Sequence, residues 1–161
     1  MLGDRILQAN ERILSTTDSV KLFTGALTIE TPRKADLSWP ADLGKYTSTT
    51  KNGINLVKLP VRFLKINDDV AIWSAPLELF CELSNEVRER SPFECTFYFG
   101  NTNGWPGYLP SQEQWKYGGY EVGTVSPYTE STGRELMENV TGYLPGEMKS
   151  VPTGRQKTKK R

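Results

Sequence analysis

The middle of this sequence is predicted to contain a strand, a tight turn, a second strand, a helix and a third strand in direct succession, and this order constrains the fold most. The segments 54–66 and 70–74 are rich in β-branched residues, as strands are. Between them, Asn67-Asp68-Asp69 is typical of a tight turn, so the two segments are predicted to form a hairpin. Because Pro60 cannot donate a backbone hydrogen bond, we expect the N-terminal half of the first strand to lie at an edge or a bulge.

The helix of this run is predicted over 76–90, because apolar residues recur there at helical spacing and a proline stands near its start. The segment 93–99 is apolar and aromatic and is predicted to be the third strand. The glycine-rich loop 100–104 follows it and can adopt positive φ angles. A strand, a helix and a second strand form a βαβ unit, so we expect an α/β fold with a mixed sheet and flanking helices.

The remaining elements are predicted from shorter patterns. Apolar residues at helical spacing indicate an amphipathic helix over 2–14, and alternation indicates a strand over 19–32. Residues 33–53 are polar and are interpreted as a long surface connection without a chemical role. The sequence SQEQ fits a capping box and predicts a helix over 111–117, and a closing helix is predicted over 129–143.

Length and charge narrow the class of protein. The 161 residues carry a formal net charge of +1, so no large field of one sign attracts a polyanion, and no nucleic-acid partner is expected. We predict one folded part over 1–145 and a flexible basic tail over 146–161, which ends in RQKTKKR. Contact of that tail with nucleic acid or an anionic lipid is the open alternative. No apolar run of about 18 residues predicts a transmembrane helix, and the compartment stays open.

The sequence has no histidine and two cysteines, Cys81 and Cys95. The cysteines are too far apart for a CxxC motif, and we interpret both as buried thiols. Without histidine, neither a Ser/His/Asp nor a Cys/His nucleophile arrangement can form within this chain.

Two loops that follow predicted strands carry polar and aromatic residues that can serve in a site. Glu78 follows the second strand and is expected in the first turn of the next helix. The loop after the third strand carries Trp105 and Tyr108, and 117–120 follows. Because such loops meet at one edge of an α/β sheet, we expect them to converge. In the structural alternative, the glutamate complements the helix dipole and the aromatic residues cap the core.

The stretch from about Leu56 to Tyr143 resembles the neutral/alkaline ceramidase family of zinc-dependent amide hydrolases. Three segments, taken in order, carry the resemblance. Pro76-Leu77-Glu78 is similar to a Pro-Gly-Glu segment whose glutamate binds zinc, with leucine in place of the glycine. The segment 103–108 is similar to Asn-x-Tyr-x-x-Tyr, whose second tyrosine binds zinc, with Trp105 in place of the first tyrosine. Tyr120-Glu121 is similar to a Tyr-Glu pair of the family.

The resemblance implies a role for three residues of this chain. Glu78 and Tyr108 are the expected ligands of a zinc ion, Zn²⁺. Tyr120 is the expected catalytic residue, a phenol beside the substrate carbonyl. The fold implied is part of a larger ceramidase-type catalytic domain, with residues 1–145 as its C-terminal portion.

The family resemblance also implies which reaction the enzyme catalyses and which zinc ligands this chain lacks. Such an enzyme hydrolyses the N-acyl amide bond of ceramide or a related lipid amide. The family completes its zinc site with histidines from the N-terminal part of the catalytic domain, and this sequence has none. We therefore expect an incomplete zinc site, a chain that is inactive alone, and that N-terminal part as a partner. Family members are often secreted or periplasmic. The alternative is a non-catalytic binding or interaction module that keeps the ceramidase scaffold.

Overall fold

The computed structural model describes residues 1–13, 16–17, 19–35, 41–146 and 148–151. Short 3₁₀ helices span Ala41–Tyr46 and Gln112–Tyr117, and a π-helical turn spans Tyr120–Thr124. The other elements, in chain order, are α1 (Leu2–Glu11), β1 (Leu22–Pro32), β2 (Thr47–Thr49), β3 (Asn55–Ile66), β4 (Val70–Ser74), β5 (Glu78–Leu79), α2 (Cys81–Arg90), β6 (Cys95–Phe99), β7 (Tyr108–Leu109), α3 (Thr132–Tyr143) and β8 (Lys149–Val151).

A mixed sheet organises the fold. Its strands lie in the order β6-β4-β3-β1-β8, and β2 also pairs with β3. The predicted hairpin is confirmed, because β3 and β4 pair antiparallel from Ile66 with Val70 to Arg62 with Ser74. The predicted βαβ unit is confirmed as well, since β4 and β6 are parallel and α2 connects them. The expected mixed sheet with flanking helices is therefore present.

One face of the sheet is covered by α2 and α3 and holds the hydrophobic core. Leu59 of β3 and Trp73 of β4 are buried on this face. They belong to one cluster with Val87 of α2 and with Leu136 and Val140 of α3. Side chains alternate between the two faces along each strand, so every second residue of β3 and β4 enters this core. Burial of these apolar side chains is the main source of the stability of the fold.

The opposite face of the sheet is open. The alternate residues of β3, β4 and β6 point to this side and are partly or largely exposed. Phe97 and Phe99 of β6 are about half exposed, at 50% and 52%. The open face is defined by the following residues of β3, β4 and β6: Arg62, Leu64, Ile66, Val70, Ile72, Cys95, Phe97 and Phe99.

In the N-terminal third, one expectation is confirmed and one needs correction. The amphipathic helix forms as α1, but none of its residues is buried. The segment 33–53 is more than a surface connection. Its residues 41–49 form a 3₁₀ helix and strand β2, and the Tyr46 side chain is buried. Residues 36–40 lie outside the described residues.

Pro60 lies where β3 lacks a neighbour on one side. β2 pairs with β3 at 55–57 and β4 pairs at 62–66, so Pro60 falls between these two partners. On its other side, β3 pairs with β1 along its length, with Pro60 opposite Thr28. The expected edge position is therefore confirmed at Pro60, whereas residues 56–57 of the same half pair on both sides.

Three further expectations differ from the structure. Both Cys81 and Cys95 are exposed, because they lie at the start of α2 and on the open face of β6. Ser111 makes no side-chain capping bond, and a 3₁₀ helix follows it. Within the predicted tail, 149–151 form β8 and pair with β1, while 147 and 152–161 lie outside the described residues. No described helix is long and apolar enough to cross a membrane.

Candidate functional site

Two short parallel strands bring Glu78 and Tyr108 side by side. β5 pairs with β7 so that Glu78 lies opposite Tyr108 and Leu79 lies opposite Leu109. The backbone N–H of Glu78 donates to the carbonyl oxygen of Gly107 at 3.1 Å. β5 follows β4, and β7 follows β6 and its loop, so the two loops after parallel strands do converge.

Glu78 lies in a strand, and the expectation that it lies in the first turn of a helix is wrong. The chain stays extended until Phe80, and α2 begins at Cys81. The N–H of Phe80 donates to the carbonyl oxygen of Leu109 at 3.1 Å. The segment 78–80 therefore makes its backbone hydrogen bonds with β7 and not within a helix, which turns the Glu78 side chain toward Tyr108.

Gly107 allows β7 to reach this position. Its φ angle is +97°, a conformation that L side chains rarely adopt. A Cβ atom at this position would lie 2.1 Å from the carbonyl oxygen of Val125, which is far inside van der Waals contact. The residue directly before Tyr108 must therefore be glycine for the Glu78–Tyr108 pair to form.

Glu78 and Tyr108 influence each other electrostatically. The Glu78 carboxylate is the main cause that raises the pKa of Tyr108 above its usual value, because hydrogen bonding to it favours the neutral phenol. Smaller contributions in the same direction come from partial desolvation and from the negative charges of Glu78 and Glu121 and the Tyr120 phenol. The phenol is therefore held in its neutral, proton-donating form.

Tyr120 lies close enough to influence Tyr108 electrostatically and is 59% exposed. It begins the π-helical turn, in which Val125 donates its N–H to the Tyr120 carbonyl at 3.1 Å. Gly118 and Gly119 precede it with φ angles of +64° and +92°. Isolated π-helical turns are often found at functional sites. The structure thus brings Glu78, Tyr108 and Tyr120 into one region of the surface.

Tyr98 supports this region from below, and the sequence patterns did not indicate it. Its hydroxyl donates to the Leu77 carbonyl at 2.8 Å, directly before Glu78. Burial is the main cause that raises the pKa of Tyr98, and the nearby Glu78 charge adds to it. The aromatic strand that contains Tyr98 was predicted from the sequence. Its hydrogen bond to Leu77, however, depends on the path of the loop after β4, which the sequence does not reveal.

Tyr46 is a second supporting residue that sequence reasoning missed. Its buried hydroxyl donates to the carbonyl oxygen of Asn103 in the loop before β7. Gly104, at φ +151°, makes room for it, since a Cβ there would lie 1.8 Å from the Tyr46 hydroxyl. Tyr46 and the glycine-rich loop are far apart in the sequence, so no local sequence pattern could have revealed this contact.

Trp105 packs against the site, with its ring edge-on to that of Tyr108 at 6.1 Å between centroids. Trp105 is 41% exposed, so aromatic surface lies beside Tyr108. Exposed aromatic rings beside a polar group are suited to contact a ligand that has both apolar and hydrogen-bonding parts.

The donor set fits part of a zinc site. A carboxylate and a phenol stand next to each other, and both are oxygen donors that zinc accepts. Within the described ranges, no group of three or more His, Cys, Asp or Glu side chains is arranged to hold a metal ion. Catalytic zinc usually takes three protein ligands, so a carboxylate and a phenol alone would not complete such a site.

Comparisons with known proteins leave the family open. No protein-family model and no curated protein sequence matches this chain. Among solved structures, the chain is similar to the crystal structure of neutral ceramidase from Pseudomonas aeruginosa, with 19% sequence identity and a TM-score of 0.44. The match covers 59% of this chain and 17% of that chain, so this chain corresponds to a small part of that protein's length. A likeness at this level assigns no activity, and the ceramidase family stays a prediction from the sequence.

Proposed function

We propose that this chain supplies part of the active site of a ceramidase-like, zinc-dependent amidohydrolase, with Glu78 and Tyr108 as two zinc ligands. The observation that carries the proposal is the pairing of β5 with β7, in which Glu78 lies opposite Tyr108 and raises the pKa of its phenol. The sequence motifs named the same two residues. Histidine ligands would come from a polypeptide segment outside this sequence.

Each of the three site residues has a role in this proposal. Zinc in such a site would activate a water molecule for attack on an amide carbonyl. Glu78 and Tyr108, which lie opposite each other on β5 and β7, would hold the metal with the carboxylate and the phenol oxygen. Tyr120, exposed in the same region, would donate a hydrogen bond from its hydroxyl to the carbonyl oxygen of a lipid amide such as ceramide.

Competition between a proton and the metal gives the proposal a pH dependence. A phenol binds a metal ion as phenolate, and the contact with Glu78 raises the pKa of Tyr108. Binding of zinc must therefore release the proton. The affinity for zinc should therefore increase with pH. The increase should stop once the pH exceeds the pKa of the metal-free phenol, because no proton then has to be released.

Titration of the isolated chain with zinc by calorimetry tests the proposal. We expect one weak site, with a Kd above about 1 µM, because two oxygen ligands hold zinc loosely. Glu78→Gln and Tyr108→Phe should each abolish it. The matched controls are Glu82→Gln on α2 and Tyr117→Phe, both exposed residues outside the pair, which should leave binding unchanged.

Three outcomes would overturn the proposal. A submicromolar Kd would mean that the site is already complete in this chain. Amide hydrolysis by the isolated chain would mean the same. Zinc binding that survives both Glu78→Gln and Tyr108→Phe would place the metal elsewhere.

The second candidate is a non-catalytic interaction module, and the open face of the sheet favours it. Phe97 and Phe99 expose about half of their surface there. A module of this kind would bind a partner without zinc. Glu78→Gln would then leave partner binding unchanged, whereas substitution of Phe97 would weaken it.

A further inference from the structure

Among the described residues, β6 is an edge strand, and the backbone groups on its free side have no partner there. It ends the described sheet and pairs with β4 alone. At its two ends, the N–H of Cys95 donates to Asp69 at 3.0 Å and the carbonyl of Phe99 accepts from Ala75 at 3.3 Å. In a parallel pair, alternate residues direct both backbone groups to the neighbour. The groups of Cys95, Phe97 and Phe99 therefore face β4, and those of Thr96 and Tyr98 face the free side.

Nothing on β6 protects this edge against pairing. Its sequence, CTFYF, contains no charge and no proline, which are the usual protective features of an edge strand. The loop that follows turns back toward the core, since Asn101 donates its N–H to Leu77 and Thr102 donates to Ala75. The hydrogen bonds of the loop thus lead the chain away from the free side of β6.

The side chains beside this edge are apolar on the open face. Phe97 and Phe99 are 50% and 52% exposed, and Ile72 of β4 lies next to Phe97 in the sheet. An uncharged edge with large apolar side chains favours the addition of another strand, because backbone hydrogen bonds and apolar burial act together.

We propose that β6 pairs antiparallel with β6 of a second copy of this chain, about a two-fold axis at Phe97. In this register Thr96 and Tyr98 of the two copies exchange backbone hydrogen bonds. Phe97 lies opposite Phe97 of the second copy, on the open face. Such aromatic pairs across strands are favourable. The inference does not depend on the proposed zinc site.

The charges beside β6 are compatible with this register. Glu94, directly before the strand, comes opposite Gly100 of the second copy and so does not meet another carboxylate. Because each copy offers the same edge to the other, the interface is isologous and closes at two subunits. The two sheets join into one, and their open faces become continuous.

Analytical ultracentrifugation over a range of concentrations tests the dimer. The interface is small, so we expect a reversible dimer with a Kd on the order of 10 to 100 µM. Phe97→Lys would place two ammonium groups opposite each other and should weaken the dimer by roughly tenfold or more. Ile54→Lys is the matched control, because Ile54 is 52% exposed and lies before β3, away from β6.

Two results of this experiment would overturn the proposal. The first is a wild-type chain that stays monomeric throughout the concentration range. The second is a dimer that Ile54→Lys weakens as much as Phe97→Lys. Circular dichroism of both variants checks that each one is folded.

Disulfide formation tests the register separately. In a chain that also carries Cys81→Ser and Cys95→Ser, Phe97→Cys leaves one thiol at the proposed two-fold axis. Opposed residues of such a pair have Cα atoms about 4.5 Å apart, within the range of disulfides. Mild oxidation should give a covalent dimer, and Ile54→Cys in the same background should not. Equal cross-linking of the two variants would overturn the proposal.

Discussion

The two faces of the sheet differ in what covers them, although β3 supplies apolar residues to both. On the covered face Leu59 is fully buried against the helices. On the open face Leu64 is partly exposed. The alternation along one strand therefore tells where side chains point, but not whether another layer lies there. Stability should depend on the covered face, and association on the open face.

The largest expected effect compares two leucines of the same strand. Leu59→Ala should lower the free energy of unfolding by about 2–5 kcal/mol, because it leaves a cavity in the core. Leu64→Ala should cost about 1 kcal/mol or less, since its side chain keeps part of its contact with water. Urea denaturation of both variants measures the difference. Equal losses would mean that the open face is as well packed as the covered one.

The next effect concerns how closely α3 approaches the covered face. At Gly25 of β1 an added Cβ would lie 2.5 Å from the Tyr143 hydroxyl, whose ring stacks on Phe63 at 4.4 Å. Gly25→Ala should therefore lower the unfolding free energy by about 1–3 kcal/mol through overpacking.

Gly142→Ala on α3 is the control for that substitution. A Cβ at this position meets nothing within 4 Å, so the variant should gain up to about 1 kcal/mol from helix propensity. Thermal unfolding of the two variants compares them. A stabilising effect of Gly25→Ala would contradict the close approach.

The smallest effect concerns the hydroxyl of Tyr98, which supports the site from the covered side. Tyr98→Phe removes its hydrogen bond to the Leu77 carbonyl and should cost about 1 kcal/mol near neutral pH. Tyr117→Phe, at an exposed position, should cost almost nothing.

The Tyr98 hydroxyl also makes the free energy of unfolding depend on pH, and the sign of this dependence follows from its raised pKa. Burial raises the pKa of Tyr98 in the folded state, so the unfolded chain loses the proton first, near pH 10. Stability is therefore fully present below about pH 10 and decreases as the pH rises above it. Tyr98→Phe should make this decrease less steep. An unchanged slope in alkaline unfolding curves would contradict the assignment.

Local patterns predicted the centre of the fold well. The β3–β4 hairpin and α2 were visible because turn residues and helical spacing act over short distances. The same patterns also predicted α1, which forms but buries nothing. Periodicity specifies a helix with an apolar side, and only tertiary structure decides whether that side is covered.

Sequence motifs named the residues of the candidate site, but they did not predict how these residues are arranged. Glu78 and Tyr108 stood in motifs, whereas their contact requires two strands of two residues each to pair. The position of Glu78 in a strand depends on hydrogen bonds to Gly107 and Leu109, which lie far along the chain. The hydroxyls of Tyr46 and Tyr98 likewise donate hydrogen bonds to loop carbonyls that are distant in the sequence. No local pattern could therefore predict these bonds.

The shortness of β5 and β7 has a consequence for the order of folding. Two residues per strand add few contacts, and the loop that joins them contains α2 and β6. Closing such a long loop costs chain entropy that this pairing alone does not recover. We therefore expect β5 and β7 to pair late in folding, after the sheet has formed. The raised pKa of the Tyr108 phenol should accordingly be found only in the fully folded chain, and not in any partly folded form.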